Sequence, residues 1–260
     1  MSPKLSSLAL NAIQRVLEPL PIRGKGRFAG LVLSGTGEVE CHPAPGVRVM
    51  LRKSQRIERL MWAGAYEREL IAWMKKTLKP GMTVLDLGAN IGYFSAIASQ
   101  LVGRTGQVHA FEPMPQTLSQ LQKNLTAFGW AHLYPCAVGE TPGTATIYSN
   151  ELEAGWSSLL SDSDLKPLTE INVIRLDDWA RDRGILRVDF IKMDIEGGEI
   201  RALRGASEVL RRFRPIIVAE LNATCLARDG RAPEDVLNLL RTARYKCTPF
   251  NDGVLATPID

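Results

Sequence analysis

Beyond residue 65, the chain alternates between short apolar runs and longer amphipathic segments. Runs such as 83–87 (TVLDL) and 214–222 (RPIIVAELN) have the length and the apolar content of buried strands. Segments such as 66–78 (YERELIAWMKKTL) repeat their apolar residues at helical spacing. This alternation is typical of βαβ units, and it predicts an α/β fold built on a parallel sheet.

The same pattern predicts the other elements of this region. A helix near 91–102 follows the first strand, and a second helix begins near Pro115. Strands are predicted over 107–113 (QVHAFEP), 132–139 (HLYPCAVG), 143–149 (GTATIYS) and 170–179 (EINVIRLDDW), and a strand that enters a helix over 188–206 (VDFIKMDIEGGEIRALRGA). Between 143–149 and 170–179 lies the polar segment 150–164, which we interpret as an excursion towards a substrate.

The end of the chain predicts a helix over 232–244 and then a hairpin. Two short strand-like runs flank the turn formed by Asn251, Asp252 and Gly253. Such turn residues between two strand-like runs favour a β-hairpin.

The first 65 residues are an extension with its own charge balance. Residues 1–60 hold ten Lys or Arg and four Asp or Glu, a surplus of +6, whereas the other 200 residues hold 22 and 24, a balance of −2. Apolar residues from Leu5 to Leu20 recur at helical spacing after Ser2 and Pro3, a plausible cap and first turn, so we expect this stripe to pack against the protein itself. We interpret the cations as a solvated surface, because the interleaved aromatic residues of single-strand nucleic-acid binders are absent. The extension is predicted to serve as a substrate cap or an oligomer contact.

Cysteine usage and hydropathy bear on the compartment. Cys41, Cys136, Cys225 and Cys247 form no C-x-x-C pair, which fits neither a zinc knuckle nor a disulfide framework. No targeting segment and no apolar run of membrane-spanning length stands out. We therefore expect a reduced, cytoplasmic setting and no membrane span.

The loop after the first strand carries the first candidate chemistry. Gly88 and Gly92 lack the middle glycine of the dinucleotide fingerprint G-x-G-x-x-G, and Asp86 precedes them. An acid in that position would repel a pyrophosphate, whereas it suits the cationic groups of S-adenosylmethionine. Glu112, at the end of the next strand, could accept hydrogen bonds from ribose hydroxyls. Small residues at the third strand end would leave room for adenine.

Seven successive segments then carry a resemblance. VLDLGANIGYFS, AFEPMPQTLSQLQKNL, AVGE, GWSSLL, VIRLDDW, VDFIKMDIEGGEIRALRGA and IIVAELN resemble, in this order, the motifs of the FkbM-type methyltransferases, a class I S-adenosylmethionine-dependent family. The resemblance covers about residues 66–222. It implies a Rossmann-like, seven-stranded methyltransferase sheet over residues 66–260, mostly parallel with an antiparallel C-terminal strand, and S-adenosylmethionine as cofactor.

The resemblance also implies a set of cofactor contacts. These are Asp86, Gly88, Ala89, Asn90, Gly92, Tyr93, Glu112, Pro113, Ala137 and Val138, to which we add Tyr66 and Glu67 from the helix before the first strand. Gly88 is expected to let the backbone approach the ligand, and Gly92 to let the following helix pack closely.

The reaction needs a group that takes the proton of the acceptor hydroxyl. Asp194 is the leading candidate, because the end of the fourth strand lies beside the transferring methyl in this fold. Glu196 is the next candidate, and Lys192 shares a strand face with both acids. We assign Glu199 to the dipole of the following helix and the three histidines to structural roles.

Further polar residues are candidates for the acceptor side. Trp156, Ser157 and Ser158 in the polar excursion, with Glu220 and Asn222 after the fifth strand, are predicted substrate contacts. If Mg²⁺ is used, Asp194, Glu220 and Asn222 would supply three oxygen ligands, but we favour a reaction without metal.

The sequence thus predicts an O-methyltransferase that acts on a hydroxyl of a small molecule, such as a sugar, a glycoside or a polyketide-type secondary metabolite. One alternative is methylation of a nitrogen or a nucleic acid, although DIEG stands where DNA amino-methylating enzymes commonly carry an Asn/Asp-Pro-Pro-aromatic turn. Another is a nicotinamide-dependent oxidoreductase, which the missing middle glycine disfavours. We expect no nucleic-acid partner, and homo-oligomerisation stays open.

Overall fold

The computed structural model describes residues 6–18, 20, 23–149, 157–158 and 166–259. Its first part consists of helices and a two-stranded antiparallel sheet. These elements are α1 (Ser7–Leu17), α2 (Lys25–Val32), β1 (Glu38–Cys41), β2 (Val49–Arg52) and α3 (Arg56–Trp62). The predicted cap at Ser2 and Pro3 lies outside the described residues; α1 is capped by Ser6, whose hydroxyl accepts a hydrogen bond from the Ala9 amide.

The remaining elements alternate along the chain as the hydrophobic pattern predicts. They are α4 (Arg68–Thr77), β3 (Thr83–Leu87), α5 (Tyr93–Val102), β4 (Gln107–Phe111), α6 (Pro115–Leu125), β5 (Ala131–Tyr134), β6 (Ala137–Gly139), β7 (Gly143–Ser149), β8 (Ser157–Ser158), β9 (Lys166–Arg175), α7 (Leu176–Asp182), β10 (Phe190–Met193), α8 (Glu199–Gly205), α9 (Ser207–Phe213), β11 (Ile216–Glu220), α10 (Ala223–Arg228), α11 (Pro233–Thr242), β12 (Tyr245–Phe250) and β13 (Gly253–Pro258).

The main sheet has seven strands in the order β12-β13-β11-β10-β3-β4-β5. Strands β11, β10, β3, β4 and β5 are parallel, and β13 pairs antiparallel with both β11 and β12. The predicted α/β fold with an antiparallel C-terminal strand is therefore confirmed. The chain proceeds from β3 to β5 on one side and from β10 to β11 on the other, so the order reverses between β3 and β10. Ligands of open parallel sheets bind at such a reversal, beyond the carboxyl ends of the strands.

The prediction of one strand over 132–139 is wrong. The structure has two strands there, and β6 belongs to a separate four-stranded sheet of order β6-β9-β7-β8. Pro135 lies between them and has no amide hydrogen to continue a ladder. The chain turns at this point, and the amide of Cys136 donates to the carbonyl of Tyr134 at 2.9 Å.

The predicted strand over 170–179 is too long at its C-terminal end. Strand β9 ends at Arg175 and α7 begins at Leu176. Acidic residues in a first helical turn favour a helix, and Asp177 and Asp178 stand in that turn. Asp177 also accepts hydrogen bonds from two backbone amides at the start of α9, which fixes α7 against α9.

The extension packs against the rest of the protein through a shared core and a polar bridge. Leu10, Val39 and Trp62 bury their side chains in the same cluster as Val84 and Ile97. Burial of this kind supplies about 25 cal/mol per Å² of apolar surface, so the shared core stabilises both parts together.

The polar bridge runs from β2 through α6 to the loop after β3. Asn124 accepts a hydrogen bond from the amide of Met50 at 2.8 Å and donates to the carbonyl of Ile91 at 2.7 Å. Gln120 donates to the carbonyl of Met50 at 2.8 Å. Because Asn124 and Gln120 are buried, these hydrogen bonds tie the extension to the glycine loop.

Two expectations for the extension need correction. Only one side of the α1 stripe packs against the protein: Leu10 and Leu17 are buried, whereas Leu8 and Val16 are exposed. Lys25, expected at the solvated surface, is buried, and its ammonium donates to the carbonyl of Glu18 at 2.7 Å. In the described part of the chain, no helix combines the length and the apolar character needed to cross a bilayer.

Candidate functional site

The glycine loop after β3 is shaped by contacts with the protein. Gly88 has φ 81°, and a Cβ atom there would lie 1.9 Å from the carbonyl oxygen of Asp194. The absent side chain therefore lets two loops of the protein touch. The approach of a ligand to the Gly88 backbone stays a prediction. Gly92 has φ 82°, and a Cβ there would lie 2.6 Å from Leu121 of α6, so α5 starts in close contact with α6 as expected.

The backbone of the glycine loop is also held in place by hydrogen bonds to the neighbouring strand β4. The amides of Gly88 and Ala89 both donate to the carbonyl of Phe111 at 3.0 Å. Asn90 adopts a left-handed conformation at φ 49°, which asparagine tolerates better than most residues, and its amide faces Glu112. Tyr93, the first residue of α5, is buried.

Below the loop, Lys192 lies between two carboxylates. Its ammonium nitrogen is 3.6 Å from Oδ1 of Asp86 and 3.4 Å from Oδ2 of Asp194. Asp86 and Lys192 are register partners on adjacent strands, which brings their buried side chains together. The other carboxylate oxygen of Asp86 accepts a hydrogen bond from Ser95 at 2.5 Å. The shared face predicted for Lys192 and Asp194 agrees with their contact.

Lys192 stays charged although it is buried. Burial lowers its pKa, but the carboxylates of Asp194 and Asp86 outweigh burial and raise the pKa above its ordinary value. The ammonium also lies 5.0 Å from the ring centre of Phe94, a cation–π contact. Among the described residues, Oδ1 of Asp86 is one of the few buried side-chain oxygens without a hydrogen-bond donor.

A cleft of about 390 Å³, including its mouth, opens at the carboxyl ends of β10 and β11. Asp194 borders it with a side chain that is 25% exposed, next to Lys192. Glu67, Glu220 and Asp252 also line it, so four carboxylic side chains face one ammonium. The described residues that line this cleft begin at Tyr66, so none of them belongs to the extension.

Tyr66 and Glu67 close one side of the cleft, but they precede α4 and do not lie within it. Glu67 has φ 43° at the start of that helix and accepts a hydrogen bond from Asn251 at 2.6 Å. Tyr66 packs on Phe94 with ring centres 5.9 Å apart. The predicted helix over 66–78 thus begins later than expected, because the backbone turns at Glu67.

Burial and crowding of carboxylates change the acid–base properties of the cleft. Burial, followed by the charge of Asp194, raises the pKa of Glu220 to about 8. Burial also raises the pKa of Glu67 above its ordinary value, against the hydrogen bond from Asn251. Burial and the charge of Asp194 therefore favour the protonated form of Glu220, which can donate a hydrogen bond.

Glu112 lies at the end of β4 with both carboxylate oxygens hydrogen bonded to backbone amides. Oε2 accepts from Asn90 and Oε1 from Met114, each at 2.8 Å. Burial nevertheless raises its pKa, because it outweighs the hydrogen bonds from Met114, Asn90 and the Thr117 side chain. A carboxylate has about four acceptor positions, so beside these three donors one acceptor position remains.

The remaining predicted cofactor residues lie around β6. Ala137 and Val138 are buried within that strand, in two different apolar clusters. Pro113 lines a second, open groove that also includes Glu170 and Asn172 of β9. These three residues therefore lie on the side of the second sheet.

The acids after β10 have positions that the sequence did not predict. Glu196 has φ 51°, so the strand has ended before it, and its carboxylate accepts a hydrogen bond from the thiol of Cys225 at 3.1 Å. Burial raises the pKa of Glu196 above its ordinary value. Its expected position on one strand face with Lys192 and Asp194 is wrong, because β10 ends at Met193.

Glu199, which we assigned to the dipole of the following helix, stands in the first turn of α8 and is buried. It accepts hydrogen bonds from the amides of Ile195 at 3.4 Å and Gly197 at 3.3 Å, across the turn that leads into α8. Burial raises its pKa to about 7. In the described structure, its Oε2 has no hydrogen-bond partner.

The predicted set of three metal ligands is not assembled. The side-chain oxygen of Asn222 accepts hydrogen bonds from the amides of Thr224 at 3.0 Å and Cys225 at 3.2 Å, which caps α10. That oxygen is thereby engaged away from Asp194 and Glu220. Throughout the described ranges, no group of three or more His, Cys, Asp or Glu side chains could hold a metal ion.

Two of the other predicted substrate residues, Ser157 and Ser158, lie at the second sheet. Ser157 and Ser158 form β8, which pairs with the end of β7. Trp156 lies outside the described residues. Their proposed contact with a substrate stays a prediction.

The structure adds residues to the cleft that the sequence did not single out. Asn251 and Asp252, in the predicted hairpin turn, reach the cleft because β13 pairs with β11 and places the turn at the carboxyl end of β11.

His109 has a structural environment as expected: its ring nitrogens contact Tyr134 at 3.1 Å and Gln107 at 3.2 Å.

Several known proteins are similar to this chain. The family model of the methyltransferase FkbM domain matches residues 86–247. The 31-O-demethyl-FK506 methyltransferase FkbM of Streptomyces tacrolimicus is 31% identical over 69% of this chain and 78% of its own length. The 2-O-methyltransferase NoeI of Sinorhizobium fredii is 26% identical over 56% of this chain and 65% of its own. The crystal structure of methyltransferase FkbM from Methylobacillus flagellatus KT has a TM-score of 0.43 at 20% identity, over 76% of this chain and 53% of that one.

Proposed function

Because this chain belongs to the methyltransferase FkbM domain family and is a methyltransferase, we propose that it methylates a hydroxyl oxygen of a small molecule. Two relatives support an oxygen acceptor, since one is a 31-O-demethyl-FK506 methyltransferase and the other a 2-O-methyltransferase. We further propose an acceptor of the sugar, glycoside or polyketide type. Membership of a methyltransferase family argues against the alternative of a nicotinamide-dependent oxidoreductase.

The charges of the cleft fit S-adenosylmethionine, the cofactor that the family implies. When bound, this cofactor supplies an electrophilic methyl carbon on a positively charged sulfur. Four carboxylic side chains line the cleft against the single ammonium of Lys192, which favours a cationic ligand. The remaining acceptor position of Glu112 fits a ribose hydroxyl.

The observation that carries the proposal is the contact between Asp194 and the glycine loop. The Asp194 backbone touches Gly88, while its carboxylate opens into the cleft. A carboxylate so placed can take the proton of an acceptor hydroxyl, which contributes typically about 10²–10⁴-fold to a rate. We therefore assign the general base to Asp194, and to Lys192 the role of holding that carboxylate in place.

Glu220 acts on the acceptor in a different way. Because burial raises its pKa and favours the protonated form, we assign to Glu220 the role of a hydrogen-bond donor to the acceptor. Tyr66 and Phe94 form an apolar wall that limits water in the cleft. Together these groups orient the hydroxyl oxygen for an in-line displacement, whose rate depends on alignment.

The proposal is tested by binding and by methyl transfer. Calorimetry should detect binding of S-adenosylmethionine and of its demethylated product, and the proposal fails if neither binds. Methyl-labelled cofactor should then be supplied with a set of glycosides and polyketide alcohols, and with an amine and single-stranded RNA as probes of the alternative classes. Label on an amine or on RNA, without label on an alcohol, would contradict the proposal.

Variants distinguish the base from a merely acidic residue. Asp194→Asn should lower kcat by about 10²–10⁴-fold and change cofactor affinity only a few-fold. The matched control is Asp182→Asn, at the exposed end of α7, which should leave both constants unchanged. Asp194 is not the base if Asp194→Asn keeps the wild-type kcat.

A further inference from the structure

The extension carries most of the exposed apolar side chains of the protein. Among the described residues, nine large apolar side chains are exposed, and six of them belong to the first 60 residues. Those six are Leu8, Val16, Leu20, Phe28, Leu31 and Ile57. Leu8 is 81% exposed and Leu31 is 79% exposed, so these side chains lie almost fully in water. Such a concentration of apolar surface is typical of an interaction site.

These side chains occupy the outer faces of contiguous helices. On α1, Leu8 and Val16 are eight positions apart and share one face, opposite the buried Leu10 and Leu17. On α2, the exposed Phe28 and Leu31 are likewise on one face.

The helices adjoin one another. The ammonium of Lys25, at the start of α2, donates to the carbonyl of Glu18 at the end of α1. A Cβ on Gly26 would lie 2.5 Å from Leu60, so α2 and α3 pack in direct contact. We call the exposed side chains of these adjoining helices the arm surface.

The arm surface is also basic. Arg15, Arg23, Arg27 and Arg56 are exposed on it or at its edges. Three of the four acids of the extension are paired with other cations: Glu58 with Arg52, Glu38 with Lys123 of α6, and Glu40 with Arg48. The extension thus combines exposed aliphatic side chains with an excess of exposed arginines.

This combination distinguishes among three partners. A second copy placed by two-fold symmetry would set arginines against arginines, which disfavours self-association. Single-stranded nucleic acid is bound by stacking on aromatic rings, but five of the six exposed apolar side chains are aliphatic. A membrane with anionic lipids offers an apolar layer for the aliphatic side chains and negative head groups for the arginines.

We propose that the arm surface docks the protein peripherally on anionic lipid membranes. Leu8, Val16, Phe28 and Leu31 enter the boundary between head groups and acyl chains, and Arg15 and Arg27 lie at the head groups. The cleft is lined by residues from Tyr66 onwards, so the docked surface and the reaction site are separate. The proposal does not depend on the identity of the methyl acceptor.

Flotation of the full-length protein with vesicles tests this proposal. Vesicles of phosphatidylcholine with phosphatidylserine should bind the protein, vesicles of phosphatidylcholine alone should bind it much more weakly, and about 1 M salt should release it because the Debye length falls to about 3 Å. Equal binding to both kinds of vesicle, or no binding to either, would overturn the proposal.

Matched variants locate the surface. Arg27→Glu should weaken the binding by at least about fivefold, and Leu31→Ser by about tenfold. The controls are Leu186→Ser, at a leucine that is 82% exposed outside the extension, and Lys246→Glu on β12, both of which should bind as the wild type does. Thermal unfolding verifies that each variant is folded.

Sedimentation of the same variants addresses the competing partner. The proposal expects the wild type and Leu31→Ser to sediment as the same species. A wild-type dimer that Leu31→Ser dissociates, together with vesicle binding that Leu31→Ser does not change, would assign the arm surface to a second copy and refute membrane docking.

Discussion

Replacing Glu199 with glutamine should stabilise the protein at neutral and alkaline pH. The side chain is buried in the turn before α8, its two hydrogen bonds are long, and burial raises its pKa from 4.5 to about 7. The folded state therefore holds the proton more tightly than the unfolded state does. The associated stability is present below pH 4.5 and is lost as the pH rises through about 7.

The size of the stabilisation follows from the difference between the pKa of Glu199 in the unfolded and in the folded state. One pKa unit corresponds to about 1.4 kcal/mol, so ionisation of Glu199 costs the folded state about 3 kcal/mol at alkaline pH. Glutamine keeps an oxygen that accepts from the amides of Ile195 and Gly197, but it cannot ionise. We expect Glu199→Gln to raise the free energy of unfolding by about 3 kcal/mol at about pH 8 and to change it little at about pH 5.

Urea unfolding at these two pH values measures the effect. The matched control is Glu69→Gln, since Glu69 also stands in a first helical turn but is exposed, and it should change stability by less than about 0.5 kcal/mol at either pH. If Glu199→Gln instead destabilises the protein equally at both pH values, the buried carboxylate acts as an ion, and the reasoning from burial is refuted.

Three further predictions concern other buried positions. Gly88→Ala should cost at least about 3 kcal/mol in urea unfolding, because its Cβ would lie 1.9 Å from a backbone oxygen, whereas Gly230→Ala, at φ 64° in open space, should cost about 1 kcal/mol; equal costs would contradict the loop contact. Asn124→Ala should destabilise the protein by about 2–4 kcal/mol and weaken S-adenosylmethionine binding in calorimetry. An unchanged affinity would show that the hydrogen bonds of Asn124 do not matter for the glycine loop. The control is Asn238→Ala at an exposed position. His109, whose pKa is lowered to about 3 mainly by burial, should make stability fall from pH 6.5 towards pH 3, and His109→Phe should flatten that part of the profile in thermal unfolding.

Much of the main sheet could be predicted from the sequence because its strands are local apolar runs. The predicted strand over 83–87 coincides with β3, and the hairpin around Asn251 and Asp252 has the expected turn. The start of a helix depends on the backbone angles of single residues. Because Glu67 has a left-handed conformation, α4 begins after it and not at residue 66 as predicted.

The second sheet and the partners of the acids could not be predicted, because they depend on contacts between distant segments. Nothing local to 132–139 shows that β6 pairs with β9. Likewise, the capping role of Asn222 depends on how the chain continues beyond β11. The sequence predicts Lys192 beside two acids, Asp194 and Glu196, but its second carboxylate in the structure is Asp86, which follows from strand register.

The contact between Gly88 and Asp194 has a consequence for engineering the enzyme. Two backbones that touch leave no side chain whose replacement could change their spacing, so the distance between the glycine loop and the proposed base is fixed by the fold. The opposite wall, formed by the hairpin turn at Asn251 and Asp252, is built of side chains. Directed evolution towards new acceptors should therefore accumulate its substitutions in that turn and leave the Gly88 contact intact.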